Sequence, residues 1–488
     1  MDVPYEKPWP FIGSIHTLFL KSIPEIDAEF RAKFPGRIAG QFLGRVPILN
    51  SSDAEFIRDI TIKNLSKFTN RRDFFEHEHS KFIRLQIFAL QGDHWKHVRS
   101  LLAPSFTSGR LKQMYPTINT CAEKFVEHIG KADSAPIIIK DYSSGYTMDV
   151  IASTAFGMDV DAQSTLNHPF VQHAGTFFGI PRKTTFFTKL TKIATLLAVL
   201  LLPKFLQKRA QLSSFASESI EYFHNIVKQV LDSELNAVEK GNNFIAICAD
   251  KLVDLKDEET PPRVNHLGLE WSQRGLTSDE VAANAISFFG AGYETTGTAL
   301  QFFFYSMALY PEIQEKLYAA ITEVAVDGHM SYEDLHKLEY LDWCLHESLR
   351  MFPPILRFDR VANEDCEING KYIPKGLDVT CLVYAIHHDP EYWEEPEVFR
   401  PERFAEENKT ELQQHAFLPF GAGARNCVAM RLALLEVKVA IVHVLAAFCM
   451  ERTSDTPNPS DLEFKKLAGV LQLAAPLKIS AIPRVEHQ

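Results

Sequence analysis

The sequence lacks any apolar run long enough to cross a membrane as a helix. The longest such run, Ile193 to Leu202, is well short of the about 20 apolar residues that a span requires. The N-terminal segment Met-Asp-Val-Pro-Tyr-Glu-Lys-Pro-Trp-Pro has neither the apolar core nor the basic flank of a secretion signal. The sequence alone therefore predicts no transmembrane helix and no cleaved leader.

The sequence has few cysteines and fewer basic than acidic residues. The seven cysteines are odd in number, scattered and without a C-x-x-C pair, which argues against a disulfide framework and is typical of a reducing compartment. With 51 Lys and Arg against 62 Asp and Glu, the net charge is -11, so we expect no nucleic-acid partner. Because no Gly/Ser-rich linker and no internal repeat interrupts the chain, we expect residues 1–488 to form a single domain.

Most of the chain shows helical rather than strand periodicity. Residues 277–280 (Thr-Ser-Asp-Glu) are a capping-box start, and the helix that they open is predicted to run to about Tyr310. Short strands are predicted between residues 37 and 50 and on both sides of an Asn-Gly hairpin turn at 369–370. The polar, Pro-rich residues 251–276 are predicted to be a surface loop. These patterns predict a mainly α fold with a small β-sheet subdomain.

A Gly-rich turn delivers Cys427 to the start of a long, mostly apolar stretch that is predicted to be a buried helix. A helix N-terminus favours the thiolate, and Gly421 and Gly423 allow positive φ and close approach of a flat group. Three interpretations are open from these residues alone. Cys427 is a buried structural cysteine, the turn is a dinucleotide-binding loop without its third glycine or preceding strand, or Cys427 is a thiolate ligand of haem iron.

The spacing of Phe420, Gly423, Arg425 and Cys427 is Phe, two residues, Gly, one residue, Arg, one residue, Cys. It resembles the haem-binding signature of the cytochrome P450 superfamily. The chain departs from the family at Ala429, where glycine is usual. Because alanine is the next smallest residue and a good helix former, we expect Ala429 to tighten the haem contact without abolishing binding.

Residues 290–296, Gly-Ala-Gly-Tyr-Glu-Thr-Thr, fall in the middle of the predicted long helix. Small residues at such a place are typical of close helix packing or of a local kink that holds a ligand. The stretch resembles the family's oxygen-binding motif. The resemblance implies that Ala291 and Gly292 make room above the iron, that Thr295 hydrogen-bonds the bound oxygen, and that Glu294 lies in its proton path.

Trp95 and Arg99 lie four residues apart and so share a face of a predicted helix. Taken alone, they are a core tryptophan and an unrelated surface arginine. They match the family's W-x-x-x-R element, whose side chains hydrogen-bond a haem propionate. The resemblance assigns Arg71 and Arg360 to the propionates as well.

Glu347 and Arg350 lie three apart on another predicted helix, and Arg403 stands in the sequence Phe-Arg-Pro-Glu-Arg-Phe at 399–404. An exposed pair of this kind contributes only a few tenths of a kcal/mol and is no signal by itself. Together the three resemble the family's E-x-x-R helix and its P-E-R-F partner. The resemblance implies a buried network that fixes the loop before Cys427.

The resemblance extends from about residue 8 to 484 and is strongest to the animal drug- and steroid-metabolising microsomal branch. It implies the cytochrome P450 fold as one catalytic domain, with haem b between the long central helix and the helix of its axial ligand, Cys427. It also implies insertion of one oxygen atom from O2 into a lipophilic small molecule of xenobiotic, steroid or fatty-acid type. Electrons would come from NADPH through a separate reductase that carries FAD and FMN, with cytochrome b5 as a further partner. The implied location is the cytosolic face of the endoplasmic reticulum membrane, with the family's N-terminal anchor absent from this chain.

Phenylalanine is abundant, with 36 residues against 14 tyrosines. Phe177 to Phe205 is strongly apolar and punctuated by Lys and Arg, and the resemblance predicts that it inserts shallowly into the membrane surface; a core helix is the alternative. Candidate walls of an apolar pocket, with core packing as the alternative for each, are Phe74, Phe75, Phe82, Phe88, Phe288 and Phe289.

Two other functions stay open. A haem-thiolate isomerase or dehydratase of lipid peroxides would need no reductase. The pair Glu294 and Thr295 argues against it, because such an enzyme needs no proton delivery to O2. A non-catalytic haem-binding protein, such as a carrier, a sensor or a degenerate paralogue, has only Ala429 in its favour.

Overall fold

The computed structural model of the chain describes residues 3–73, 81–164, 168–177, 217–237, 241, 243–257, 261–325 and 330–484. Helices dominate this part of the chain. In chain order, the α-helices are α1 (Ile15–Leu20), α2 (Ile23–Lys33), α3 (Ala54–Arg58), α4 (Lys81–Arg84), α5 (Gly92–Leu102), α6 (Ser108–Gly130), α7 (Ile139–Phe156), α8 (Pro169–Phe177), α9 (Ser217–Asn236), α10 (Phe244–Ala249), α11 (Ser278–Leu309), α12 (Pro311–Val324), α13 (Glu339–Met351), α14 (Val383–His387), α15 (Glu411–Ala416) and α16 (Met430–Ala447).

The strands form small sheets beside the helices. They are β1 (Ile38–Leu43), β2 (Val46–Ser51), β3 (Ile137–Ile138), β4 (Arg263–Val264), β5 (Glu270–Trp271), β6 (Arg357–Val361), β7 (Cys366–Ile368), β8 (Lys371–Ile373), β9 (Asp378–Leu382), β10 (Phe448–Arg452) and β11 (Lys478–Pro483). A mixed sheet has the order β1-β2-β9-β6, in which only β2 and β9 are parallel. A second sheet has the order β10-β11-β3, and β4–β5 and β7–β8 are separate pairs. The predicted fold class, mainly α with a small β subdomain, is confirmed.

Local sequence signals set several of these boundaries. The Thr277 hydroxyl accepts a hydrogen bond from the Glu280 N–H (3.2 Å), and the Glu280 carboxylate accepts one from the Thr277 N–H (2.8 Å), which forms the predicted capping box of α11. Asn369 and Gly370 have φ values of 50° and 70°, as a type I′ turn between β7 and β8 requires.

The central helix α11 has 32 residues and packs extensively against α7. At about 1.5 Å per residue it spans roughly 48 Å. Its first half lies in one apolar cluster with α5, α7, α9 and α10, and its second half lies in another with α6, α12, α13 and α16. A third cluster covers the mixed sheet. Residues 290–296 therefore lie where the two large clusters meet on α11.

Residues 251–276 are less exposed than predicted. The short strands β4 and β5 lie in this segment, and Trp271 is buried with its ring stacked on His94 (centroids 4.7 Å apart). The prediction of a surface loop is wrong at Trp271, because one aromatic residue in a polar segment has no periodicity that reveals its contact.

Part of the predicted membrane-facing segment, residues 178–205, lies outside the described residues, as do Phe74 and Phe75. Among the helices that the structure does describe, none combines the length and the apolarity needed to cross a bilayer.

Candidate functional site

The loop before α16 is closed by backbone contacts. The Cys427 N–H donates a hydrogen bond to the Phe420 carbonyl oxygen (2.9 Å), and Gly423 has a φ of 71°. A Cβ at Gly423 would lie 1.9 Å from the Thr61 carbonyl oxygen, so glycine is required for this contact. The expectation that Gly423 admits a flat ligand is wrong, because protein backbone fills the space beside it.

Cys427 lies just before α16, which begins at Met430. Its accessible surface faces an internal cavity. Burial raises the pKa of the thiol, and it outweighs the Ala429 N–H and the guanidinium groups of Arg99 and Arg71, which lower it. The sequence suggested that the end of the helix favours the thiolate. In the folded chain, burial outweighs that effect. A metal cation bound at the sulfur would supply the missing positive charge.

A cavity of about 490 Å³ separates α11 from the Cys427 loop, and its size is ordinary for a small-molecule site. Ala291 is exposed to it, and Thr295 lines it while its hydroxyl donates to the Ala291 carbonyl oxygen (2.5 Å). A Cβ at Gly292 would lie 2.5 Å from the Ile151 side chain on α7. Gly292 itself lines the cavity, so the prediction that it makes room above the iron stays a prediction; its missing side chain also permits close contact between α7 and α11.

Glu294 is buried next to Thr295 and also lines the cavity. One carboxylate oxygen lies 3.3 Å from Lys140 Nζ and accepts a hydrogen bond from Gln472 Nε2 (3.1 Å). The wall of the cavity thus presents a hydroxyl and a carboxylate side by side, which are the groups that a proton relay needs.

Of the described candidate phenylalanines, Phe88 and Phe288 line the cavity. Phe82 instead contacts the His224 ring (centroids 4.3 Å apart), and Phe289 is fully buried in a core cluster rich in aromatic rings. The pocket assignment is wrong for Phe82 and Phe289. Phe289 packs inside the core cluster, whereas Phe288 on the same helix only borders that cluster and lines the cavity. Two lining residues that the sequence reasoning missed are Phe106 and Phe244.

Arginines bind the backbone of the loop around Cys427. Arg71 donates to the Arg425 carbonyl oxygen (3.1 Å), and Arg99 donates to the Asn426 carbonyl oxygen (2.9 Å). Arg360 donates to the carbonyl oxygen of residue 422 (3.1 Å). The guanidinium of Arg425 lies over the Trp95 ring, 4.3 Å from its centroid. The residues predicted to bind the propionates therefore lie together around the Cys427 loop: Trp95, Arg71, Arg99 and Arg360.

The four guanidinium groups repel one another. Burial first, and then Arg71, lowers the pKa of Arg360 to about 10, and burial with Arg71 and Arg360 lowers the pKa of Arg425 to about 8. Within the described part of the chain, the Nε atoms of Arg71, Arg360 and Arg425 are buried and have no hydrogen-bond partner. Buried cations with open donors fit a ligand that carries carboxylates, because guanidinium pairs well with them. The two propionates of haem have this chemistry.

A buried ion network lies behind the cysteine loop. Arg350 donates two hydrogen bonds to the Glu347 carboxylate (2.7 and 2.9 Å), and Arg403 donates one (3.1 Å). The side chains of Glu347 and Arg350 have no accessible surface, and that of Arg403 has 4%. Arg350 also donates to the His387 carbonyl oxygen, and His387 Nε2 accepts from the Leu418 N–H, 2.8 Å in both cases. The network therefore reaches the segment that leads into the Cys427 loop.

Ala429 adopts φ -98° and ψ 17°, a negative-φ conformation that L-residues can adopt. The glycine that is usual at this position is therefore not required by the backbone of this chain.

The fold and the cavity are those of a haem-thiolate enzyme. The family model "Cytochrome P450" matches residues 3–481. The chain is 35% identical over 493 residues to Cytochrome P450 3A16 of Mus musculus, which covers 99% of this chain and 91% of the mouse protein. It is 36% identical over 489 residues to Cytochrome P450 3A11 of Mus musculus, with 99% and 91% covered. It is 34% identical over 491 residues to Cytochrome P450 3A1 of Rattus norvegicus, with 99% and 92% covered.

The chain belongs to the cytochrome P450 family and is a monooxygenase. The cofactor of this family is haem b with an axial cysteine thiolate. The residues present fit this group: a cysteine faces the cavity, and arginines with open donors lie beside it.

Lys140, Gln472 and Asn426 are site residues that the sequence reasoning missed. Lys140 follows three isoleucines at 137–139, and a lysine after such an apolar run could have been noticed as a buried cation. Gln472 and Asn426 carry no comparable signal, because an amide in a loop is ordinary.

We expect Arg360→Met to weaken haem retention by about tenfold to a hundredfold. A hydrogen bond to a charged group contributes about 1.5–3 kcal/mol, and methionine offers none. The rate of haem transfer to excess apomyoglobin measures the effect. Arg110→Met is the control, because Arg110 on α6 lies outside the cavity lining and bonds only to Gln113 in the described structure (3.1 Å). Equal transfer rates for the two variants would contradict the assignment of Arg360.

Proposed function

We propose that this monooxygenase inserts one oxygen atom from O2 into lipophilic small molecules of xenobiotic, steroid or fatty-acid type. Its electrons come from NADPH through a separate reductase that carries FAD and FMN. The observation that carries the proposal is that Glu294 and Thr295 line the same cavity as Cys427. An enzyme that only rearranges a peroxide has no need for a proton relay at this place.

The chain supplies binding, orientation and proton delivery, and bound haem would supply the oxygen chemistry. Cys427 Sγ would hold the iron. Trp95, Arg71, Arg99 and Arg360 would hold the propionates, with Phe420 and Arg425 shaping the loop. The Thr295 hydroxyl can turn from the carbonyl oxygen of residue 291 to donate its proton into the cavity. A proton that Glu294 takes up from solvent then replaces the one that Thr295 has given.

The aromatic wall supports a lipophilic substrate. Phe288 makes edge-on contacts with Phe106 (centroids 5.2 Å apart) and Phe244 (4.8 Å), and all three line the cavity. A wall of this kind favours apolar surface and gives aromatic or ring-containing molecules additional contact energy. Ser287 and Thr154 are hydroxyl-bearing neighbours in the same lining that can orient a polar substituent.

We further propose that residues 1–488 act as one catalytic domain at the cytosolic face of the endoplasmic reticulum membrane, with cytochrome b5 as a second electron donor. The resemblance of the sequence to the microsomal branch of the family supports this location. Exposed apolar side chains near the N-terminus also support a membrane surface: Trp9 is 61% exposed, Phe11 79% and Leu20 64%.

The proposal is tested with purified holoprotein and a panel of lipophilic compounds. Product is measured with NADPH and a microsomal reductase, and in parallel with lipid hydroperoxides and no reductase. Reductase-dependent oxygenated product is expected. Turnover of hydroperoxides alone would instead indicate an isomerase or dehydratase, and no turnover in either arm would indicate a non-catalytic haem protein.

Thr295→Ala is expected to lower the product formed per NADPH consumed by about tenfold or more, with hydrogen peroxide released instead. The reason is that proton transfer by a positioned group contributes about 10²- to 10⁴-fold. NADPH, product and peroxide are measured in the same reaction. Thr322→Ala is the matched control, because Thr322 also bonds to the carbonyl oxygen four residues earlier (3.1 Å) but lies on the surface of α12. Full coupling in Thr295→Ala would exclude the relay.

A further inference from the structure

Lys140 places a cation against the carboxylate of Glu294. Its ammonium lies 3.3 Å from Glu294 Oε1 and donates hydrogen bonds to the Glu294 carbonyl oxygen (3.0 Å) and to Thr298 Oγ1 (2.9 Å). Lys140 belongs to α7, whereas Glu294 and Thr298 belong to α11. One side chain therefore ties the start of α7 to the middle of the central helix.

The space for this ammonium depends on a second glycine of α11. A Cβ at Gly297 would lie 3.3 Å from both Lys140 Nζ and Ser144 Oγ, a tighter approach than ordinary van der Waals contact. The missing side chain at Gly297 thus admits the lysine between the two helices. The contact lies between the two helices and is not an exposed surface ion pair, since the Glu294 side chain is only 5% exposed.

The other groups around this pair do not replace the lysine. Gln472 is a neutral donor to the same carboxylate oxygen (3.1 Å), and Lys465 lies farther out, 3.4 Å from the Gln472 side-chain oxygen. The pKa of Lys140 is lowered overall, because burial outweighs the opposing effects of Glu294 and Asp141, and Lys465 lowers it further. Lys140 is therefore the cation in direct contact with Glu294 in the described structure.

We propose that Lys140 is a positioning residue for oxygen activation: its ammonium holds the Glu294 carboxylate at the cavity wall, one residue before Thr295, so that the carboxylate can take up a proton from solvent and pass it on. A buried carboxylate that loses its cation is left uncompensated and is free to turn away. Gln472 fixes the same oxygen from the C-terminal segment. The inference rests on the proposed proton relay through Glu294 and Thr295.

The test compares Lys140→Met, Lys140→Arg, Glu294→Gln and the Lys140→Met/Glu294→Gln double variant as holoproteins. Lys131→Met is the matched control, because Lys131 forms an exposed ion pair with Glu127 (2.9 Å) on α6. In Lys140→Met, product per NADPH is expected to fall by roughly an order of magnitude, since a misplaced relay group forfeits part of the about 10²- to 10⁴-fold of proton transfer. Substrate affinity, read from the spectral shift on binding, stays unchanged, and Lys140→Arg recovers most of the coupling.

The double variant and thermal unfolding separate positioning from general damage. Coupling in the double variant is expected to equal that of Glu294→Gln alone. Its Tm is expected to exceed that of Lys140→Met, because no uncompensated carboxylate remains buried. Normal coupling in Lys140→Met, or additive losses in the double variant, would overturn the inference.

Product formation by the wild-type protein and thermal unfolding of the variants together distinguish the two proposals. If wild-type protein forms no reductase-dependent product, the proposed function fails, and the role of Lys140 in that reaction fails with it. If wild-type protein is active but the Tm values of the variants are additive, the proposed function stands, and the claim that Lys140 compensates the Glu294 charge is refuted.

Discussion

Cys427→Ala is expected to abolish the thiolate-type absorption of the reduced carbon monoxide complex and to reduce monooxygenase turnover to background. Alanine has no sulfur to bind iron, and the thiolate supplies the electron density that favours O–O cleavage. The cavity wall stays otherwise intact, so haem can still bind through its propionates to the arginine cluster. Absorption spectroscopy of the purified, haem-reconstituted variant gives the answer directly.

Cys449→Ala is the control for this substitution. Cys449 on β10 is, besides Cys427, the cysteine of the described structure that is not buried, and it lies outside the cavity lining. Its replacement should leave the spectrum unchanged. A thiolate spectrum that survives in Cys427→Ala and disappears in Cys449→Ala would refute the ligand assignment.

The second large effect is expected from Glu347→Gln. The substitution leaves the cations of Arg350 and Arg403 buried with no carboxylate between them, and breaking a buried pair in this way costs about 3–5 kcal/mol. A folded protein has only about 5–15 kcal/mol of stability in total. We therefore expect little soluble holoprotein and a strongly lowered Tm in whatever folds.

Glu406→Gln is the matched comparison, because Glu406 forms an exposed ion pair with Lys409 (2.8 Å) and its side chain is 85% accessible. Such a pair contributes at most about 1 kcal/mol. Arg403→Lys is a milder change to the same network, because lysine keeps the positive charge but lacks the planar guanidinium group. Haem content per folded protein and thermal unfolding are measured for all three, and equal stabilities of Glu347→Gln and Glu406→Gln would show that the network is not needed.

The sequence could predict features that depend on neighbouring residues. The capping box at 277–280 placed the start of α11 within one residue, and the Asn-Gly pair placed the turn between β7 and β8. The motif around Cys427 indicated the chemistry of the site because its spacing is short and specific. In each case the signal lies within a few residues of the feature that it predicts.

Features that depend on contacts between distant parts of the chain could not be predicted from the sequence. Lys140 and Glu294 are 154 residues apart, and Gln472 is 178 residues from Glu294, so no local pattern could pair them. The sequence indicated a positive φ at Gly423 but not that Thr61 fills the space beside it. Phe288 and Phe289 look equivalent in the sequence, and only helix packing decides which of them faces the cavity.

The arginine cluster would make the stability of the fold depend on the cofactor. Because Arg71, Arg99, Arg360 and Arg425 repel one another, the folded chain would gain stability on binding the carboxylates of haem between them. In a cell, the steady-state amount of this protein should therefore follow haem synthesis as well as transcription. A chain made during haem shortage is expected to remain a substrate for proteases, so that availability of one metabolite limits how much enzyme accumulates.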